Sequence, residues 1–156
     1  MGKEIERKFL VNPKIWERAV KPEGTYYRQG YILAEPGKTV RVRVSGNAGF
    51  LTIKGAAEGI SRDEYEYEIP LNDAKEMLDK LCGSEVVKKR YKIYCGGKLW
   101  EVDVFDGDNY GLILAEIELK SEEEMFDIPS WIEKEVTGDI KYNNSYLSLC
   151  PFERWK

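Results

Sequence analysis

Residues 63–69 read D-E-Y-E-Y-E-I, and three carboxylates alternate there with apolar or aromatic side chains. Glu64, Glu66 and Glu68 fall on one side and Tyr65, Tyr67 and Ile69 on the other, the period of an extended strand. The same period recurs along the chain. In 3–11, Glu4, Glu6 and Lys8 oppose Ile5 and Phe9; in 39–45, Arg41 and Arg43 oppose Val40, Val42 and Val44; in 50–54, Thr52 and Lys54 oppose Leu51 and Ile53. Further on, 86–94 sets Lys88, Arg90 and Lys92 against Val87, Tyr91 and Ile93, and 99–105 sets Glu101 and Asp103 against Trp100, Val102 and Val104. Residues 112–120 set Glu116, Glu118 and Lys120 against Ile113, Ala115, Ile117 and Leu119. With the aromatic stretch T-Y-Y-R-Q-G-Y-I-L-A at 25–34, the pattern predicts about eight strands.

Helical signals are few. Asn72 could cap a helix carrying Ala74, Met77, Leu78 and Leu81 and ended by Gly83, with shorter candidates at 13–20 and 130–136. Turns are expected at Pro36-Gly37, Gly46-Asn47, Gly55, Gly96-Gly97 and Gly107-Asp108. No repeat, low-complexity tract or linker interrupts the chain. It therefore reads as one α+β domain over 1–156, mainly antiparallel β.

A half-solvated sheet explains any one alternating strand, but not the set. Whole strands carry one sign, acidic at 64–68 and basic at 41–43 and 88–92, and like charges on one face repel. That arrangement suits a closed eight-stranded barrel whose charged faces line the lumen and hold a highly charged ligand, with a few helices covering the apolar outside. Tyr65, Tyr67 and Tyr91 then lie under helices, and Trp16, Trp100, Trp131 and Trp155 serve as packing anchors.

Composition narrows the chemistry. Hydrophobic residues at 42% and charged residues at 33% of 156 positions fit a folded core, and a net charge of -4 makes a nucleic-acid partner unlikely. There is no apolar targeting segment or span, so no membrane role is expected. Cys82, Cys95 and Cys150 are odd in number and lack a C-x-x-C pair, which favours three buried reduced thiols in a cytoplasmic protein. With 0 histidines, a Ser-His-Asp triad, a Cys-His pair and His-ligated zinc are excluded.

What remains is a lumen of acids and bases. Lys8, Arg41, Arg43, Lys54, Lys88 and Arg90 match phosphate oxygens by charge and fork geometry. Carboxylates cannot face phosphate directly, yet they can share it through hard divalent cations with oxygen ligands. Glu4 and Glu6 lie about 6–7 Å apart on one strand face, and Glu116 and Glu118 repeat that spacing. If their strands are adjacent, these four carboxylates can surround one or two metals.

These motifs, taken in order, resemble the CYTH or triphosphate tunnel metalloenzyme family. The resemblance is carried by E-I-E-R-K at 4–8, R-V-R at 41–43, T-I-K at 52–54, E-Y-E at 64–66, K-K-R-Y at 88–91, E-V-D at 101–103 and A-E-I-E-L at 115–119. It implies an eight-stranded antiparallel tunnel and hydrolysis of a triphosphate with one or two Mg²⁺ or Mn²⁺ ions. It also implies Glu4, Glu6 and Glu118 as ligands of one ion, with Glu116 and Asp103 helping to hold a second. Lys8, Arg41, Arg43, Lys54, Lys88 and Arg90 would grip the phosphates, and Lys134, in the short helix, would cap that site. Glu64, Glu66 and Lys8 are the candidates for catalysis, with Glu64 and Glu66 able to orient the attacking water, bind metal or fix neighbouring bases. The family also contains class IV adenylyl cyclases, so cyclic AMP formation from ATP is the alternative activity. A non-catalytic polyphosphate-binding barrel is the alternative of another class. The expected partner is a small molecule bearing a triphosphate.

Overall fold

The computed structural model describes residues 2–155. The strands are β1 (Gly2–Val11), β2 (Thr25–Glu35), β3 (Lys38–Ser45), β4 (Ala48–Glu58), β5 (Ser61–Ile69), β6 (Ser84–Cys95), β7 (Lys98–Phe105), β8 (Ile113–Glu118) and β9 (Ile132–Glu135). The helices are α1 (Pro13–Arg18), α2 (Leu71–Lys80) and α3 (Asn144–Leu149). Neighbouring strands run in the order β5-β4-β3-β2-β6-β7-β8-β1, and β1 also pairs with β5. Eight antiparallel strands thus close into a barrel, which removes the sheet edges they would otherwise expose.

One edge of β1 is shared. Its Gly2–Ile5 stretch pairs with β5, and Phe9–Val11 pairs with β9 once β5 has turned away. Here the expected helix at 130–136 is corrected: Ile132–Glu135 is a strand, because its backbone completes the free end of β1. Lys134 is exposed on that strand, opposite Leu10, and does not reach the lumen.

Two apolar clusters lie outside the charged lumen and a third closes one end of it. The largest joins Phe9, Trp16, Trp100, Val102, Ile117 and Trp131, with edge-to-face contacts between Trp100 and Trp131 at 5.8 Å and Trp16 and Trp131 at 5.3 Å. The short helix α1 is set by Asn12, whose side chain accepts from Lys14 and Ile15 backbone N–H, and by Pro13 at its first position. A second cluster packs Ala74 and Leu78 of α2 against Val42, Val44 and Leu51 outside the barrel. Contrary to expectation, α2 starts at Leu71 after Pro70 and has no side-chain cap.

Nor does any helix cover Tyr65 and Tyr67, which are 41% and 58% exposed; α2 stops short of them over Leu51 and Ile69. The expected turn at Gly55 is continued strand. β4 runs on to Glu58, with an irregularity between Lys54 and Ala57, and turns at Gly59, whose φ of 64° suits glycine. The thiols are free but only partly buried. Among the described residues no helix is long and apolar enough to cross a membrane.

The third cluster lies inside. Following the lumen face of each strand, Lys8 gives way to Leu10, Lys88 to Val86, Asp103 to Phe105 and Glu116 to Leu114. These four apolar side chains pack with Leu147 of α3. At that end the charged lumen gives way to an apolar floor.

Candidate active site

The lumen holds a cavity of about 350 Å³ with a charged lining. Its acidic wall comes from β1, β7 and β8. In register, Glu6 faces Glu118, Lys8 faces Glu116, and Glu101 faces Glu116 across β7 and β8. The adjacency required for a shared metal is therefore present. Both Glu4 oxygens accept from Lys54 Nζ at 3.1 Å. Burial, with the Glu116 and Glu4 carboxylates beside it, pushes Glu6 up to about 8. Glu118 is raised by burial and then by Glu4, Glu64 and Glu101. Glu6 and Glu118 thus hold their protons first because of burial and then because of neighbouring carboxylates, and a cation beside them would relieve both.

The basic wall comes from β3, β4 and β6. Arg41 donates from Nη2 to Thr52 Oγ1 at 3.1 Å and to Glu66 Oε2 at 3.3 Å. Its Nε is buried with no hydrogen-bond partner, so the fork is only half engaged. Arg43 Nε donates to Gln29 Oε1 at 2.9 Å, and burial beside Arg41 and Arg90 lowers its guanidinium from the usual value. Arg43 and Arg90 each stack on the Tyr27 ring, at 4.7 and 5.0 Å from its centroid. Lys8, deep on the acidic wall, donates to the Tyr142 carbonyl at 3.1 Å and approaches Glu116 to 3.4 Å. Burial alone would lower its pKa, but Glu116 and Glu6 raise it. Burial alone would raise Glu116, yet the Lys8 and Arg90 charges hold it down at about 2.

Asp103 has a different setting from the other acids. Only 1% exposed, it does not line the cavity. One oxygen accepts from Arg90 Nε at 2.7 Å; the other accepts from Lys88 Nζ at 2.7 Å and Arg90 Nη2 at 2.8 Å. Burial would raise its carboxyl, but these two cations outweigh it and hold it well below the usual range. Its oxygens are engaged in orienting two bases. Lys88, itself 1% exposed, is lowered by burial to about 7 despite Asp103.

A family model described as "CYTH domain" matches residues 2–144. The chain belongs to the CYTH-domain family.

Two curated relatives align over nearly the whole CYTH chain. A protein of Acetivibrio thermocellus named inorganic triphosphatase is 51% identical, covering 100% of this chain and 99% of its own. A protein of Nitrosomonas europaea with the same name is 38% identical, covering 94% and 97%. A crystal structure titled as an inorganic triphosphatase superposes with a TM-score of 0.64 at 35% identity over 94% of each chain.

Within this CYTH barrel, Glu4, Glu6, Lys8, Arg41, Arg43, Lys54, Glu64, Glu66, Lys88, Arg90, Glu116 and Glu118 all line the one cavity. Lys134 and Asp103 do not. Among the described residues no three acidic or thiol side chains already form a metal-ligand cluster. The donor set nonetheless fits a hard divalent ion, because Glu4, Glu6 and Glu118 offer carboxylate oxygen, and Glu6 and Glu118 have raised pKa values while Glu4 is paired with Lys54.

Several lining residues escaped the sequence reading. Arg62 lies on the face of Glu64, opposite Glu4 across the β1–β5 seam, and its alternation could have revealed it. Tyr27 and Tyr31 share a face in the aromatic strand whose alternation is loose. Asn143, Asn144 and Ser145 enter the lining from a segment with no strand or helix signal strong enough to place it.

Proposed function

We propose that this CYTH protein hydrolyses the terminal phosphate of a small-molecule triphosphate, with inorganic tripolyphosphate the preferred substrate and nucleoside triphosphates a secondary one. The observation that carries this reading is the division of one cavity into two walls. Carboxylates stand on β1 and β8, Glu6 and Glu118 among them with raised pKa values; an incompletely engaged arginine and five other bases stand on β3, β4 and β6. A bare anion site gains nothing from the first wall, and a bare metal site gains nothing from the second. A metal-bound polyphosphate uses both.

In this reading Glu4, Glu6 and Glu118 hold Mg²⁺ or Mn²⁺, with Glu116 supporting a second ion. A bound divalent cation supplies charge compensation for the phosphate oxygens and favours deprotonation of the attacking water. Lys8, Arg41, Arg43, Lys54, Lys88 and Arg90 hold the phosphate chain and stabilise charge as the bridging oxygen leaves. Arg41 lines the cavity already oriented by Thr52 and Glu66, so its guanidinium can meet a phosphate oxygen with little further ordering. Glu66 therefore acts through Arg41, leaving Glu64 as the carboxylate that orients water. Water adds to the terminal phosphorus, the bond to the bridging oxygen breaks, and orthophosphate and the shortened phosphate depart. Asp103 is assigned to positioning Lys88 and Arg90, not to metal.

The reading carries with it one catalytic domain over 1–156 and a cytoplasmic setting. Phosphate release from tripolyphosphate and ATP in Mg²⁺ and in Mn²⁺ tests it. Metal-dependent orthophosphate supports it, and binding without turnover would leave a polyphosphate-binding barrel instead.

A further inference from the structure

The floor of the cavity carries a hydrogen-bond network joining two bases on different strands. Asn144, at the start of α3, accepts at Oδ1 from Lys88 Nζ at 2.9 Å and from Gln29 Nε2 at 3.2 Å. Gln29 is fully buried, and its Oε1 accepts from Arg43 Nε at 2.9 Å. The Arg43 guanidinium can only donate, which settles the orientation of both amides in turn. Gln29 must turn oxygen to Arg43 and so nitrogen to Asn144, whose oxygen then faces Gln29 and Lys88 together. A flip of either amide would set donor against donor.

We propose that Asn144 is a positioning residue for hydrolysis, fixing Lys88 directly and Arg43 through Gln29, so that the phosphate grip depends on the segment that floors the barrel. This rests on reading Lys88 and Arg43 as phosphate-binding groups. Without the amide oxygen, Lys88 keeps Asp103 as its remaining hydrogen-bond partner and loses the contact that draws it toward the floor. Gln29 Nε2 loses the shorter of its two contacts and keeps only Tyr31 Oη at 3.4 Å, so the partner of Arg43 is held less firmly. The floor has a separate anchor, since Leu147 of the same helix is fully buried against Val86 and Phe105. Removing the amide therefore leaves α3 in place.

The test is a double-mutant cycle with Asn144→Ala, Gln29→Ala and the pair, followed by tripolyphosphate hydrolysis, calorimetric tripolyphosphate affinity and melting temperature. Asn144→Ala is expected to lower kcat/KM about tenfold or more, the loss typical of a buried hydrogen bond to a charged group. The double variant should be no worse than the poorer single one, because both substitutions break one network. Wild-type kinetics in Asn144→Ala, losses that multiply in the double variant, or a fall in kcat/KM matched by partial unfolding would each overturn the assignment. An inactive wild-type protein that still binds tripolyphosphate would remove the hydrolase reading alone, and the cycle would then be read in affinity. Absence of binding would remove both.

Discussion

Glu6 of β1 stands directly opposite Glu118 of β8 in the antiparallel register, two carboxylates on the same inward face. Directly opposed like charges destabilise a sheet. A fold that keeps this pair must recover the cost elsewhere, and a bound cation is the simplest compensation. The pair should therefore oppose stability without metal and support activity with it. Glu6→Gln is expected to leave the metal-free protein as stable or more stable. It should also cut metal-dependent turnover by more than about a hundredfold. Melting in EDTA and phosphate release in Mg²⁺ or Mn²⁺ check both halves.

Burial of Glu6 beside Glu116 and Glu4 gives the metal-free protein a distinctive pH response. Glu6, ordinarily at 4.5, is raised to about 8, so the folded state binds its proton more tightly than the unfolded one. That contribution to stability is complete below about 4.5 and is lost as pH rises through about 8. Lys88 acts with the opposite sign, because its lowered value near 7 lets stability recover only above that pH. Metal-free melting temperature should thus fall from about pH 5 to 7. Metal affinity should rise over the same interval, with proton release visible as a buffer-dependent binding enthalpy. A rise in metal-free stability across that range would remove Glu6 as the controlling group.

Asp103 separates positioning from metal binding. Asp103→Asn leaves Lys88 buried without its ion-pair partner, while Arg90 keeps Glu101 and Glu116, and should cost about 3–5 kcal/mol of stability. Tripolyphosphate affinity should fall with it, while calorimetric Mn²⁺ affinity stays near wild type. Loss of Mn²⁺ binding in a folded Asp103→Asn protein would return Asp103 to the metal site.

Arg41 and Lys134 make a contrasting pair. Arg41→Lys keeps the charge but loses the planar guanidinium held by Thr52 and Glu66 at the proposed phosphate site, so KM for tripolyphosphate should rise about tenfold. Lys134→Ala, on the exposed face of β9, should leave kcat and KM unchanged. Steady-state kinetics on both variants decide the matter.

Much of this site could be read from alternation. Glu64 and Glu66, or Arg41 and Arg43, share a face because a strand has period two, and no tertiary knowledge is needed to see it. What alternation cannot supply is pairing. That Glu6 meets Glu118, or that Asp103 spends its oxygens on Lys88 and Arg90, depends on register between strands far apart in sequence. Residues 132–135 misled for a related reason. Their helical spacing is local, whereas the open edge of β1 that recruits them is not. Tyr65 and Tyr67 look like core by residue type, but a helix as short as α2 covers only part of the outer face. The floor at Asn144 carries no local pattern at all, and only closure of the barrel brings it beneath Lys88.

The central claim, that two opposed walls hold a metal-bound triphosphate for hydrolysis, is tested most directly by product analysis with tripolyphosphate and ATP in Mg²⁺ and Mn²⁺. The structure predicts metal-dependent conversion of tripolyphosphate to orthophosphate and pyrophosphate, abolished by EDTA and by Glu6→Gln. Cyclic AMP with pyrophosphate from ATP and no orthophosphate from tripolyphosphate, or turnover unaffected by EDTA, would contradict it.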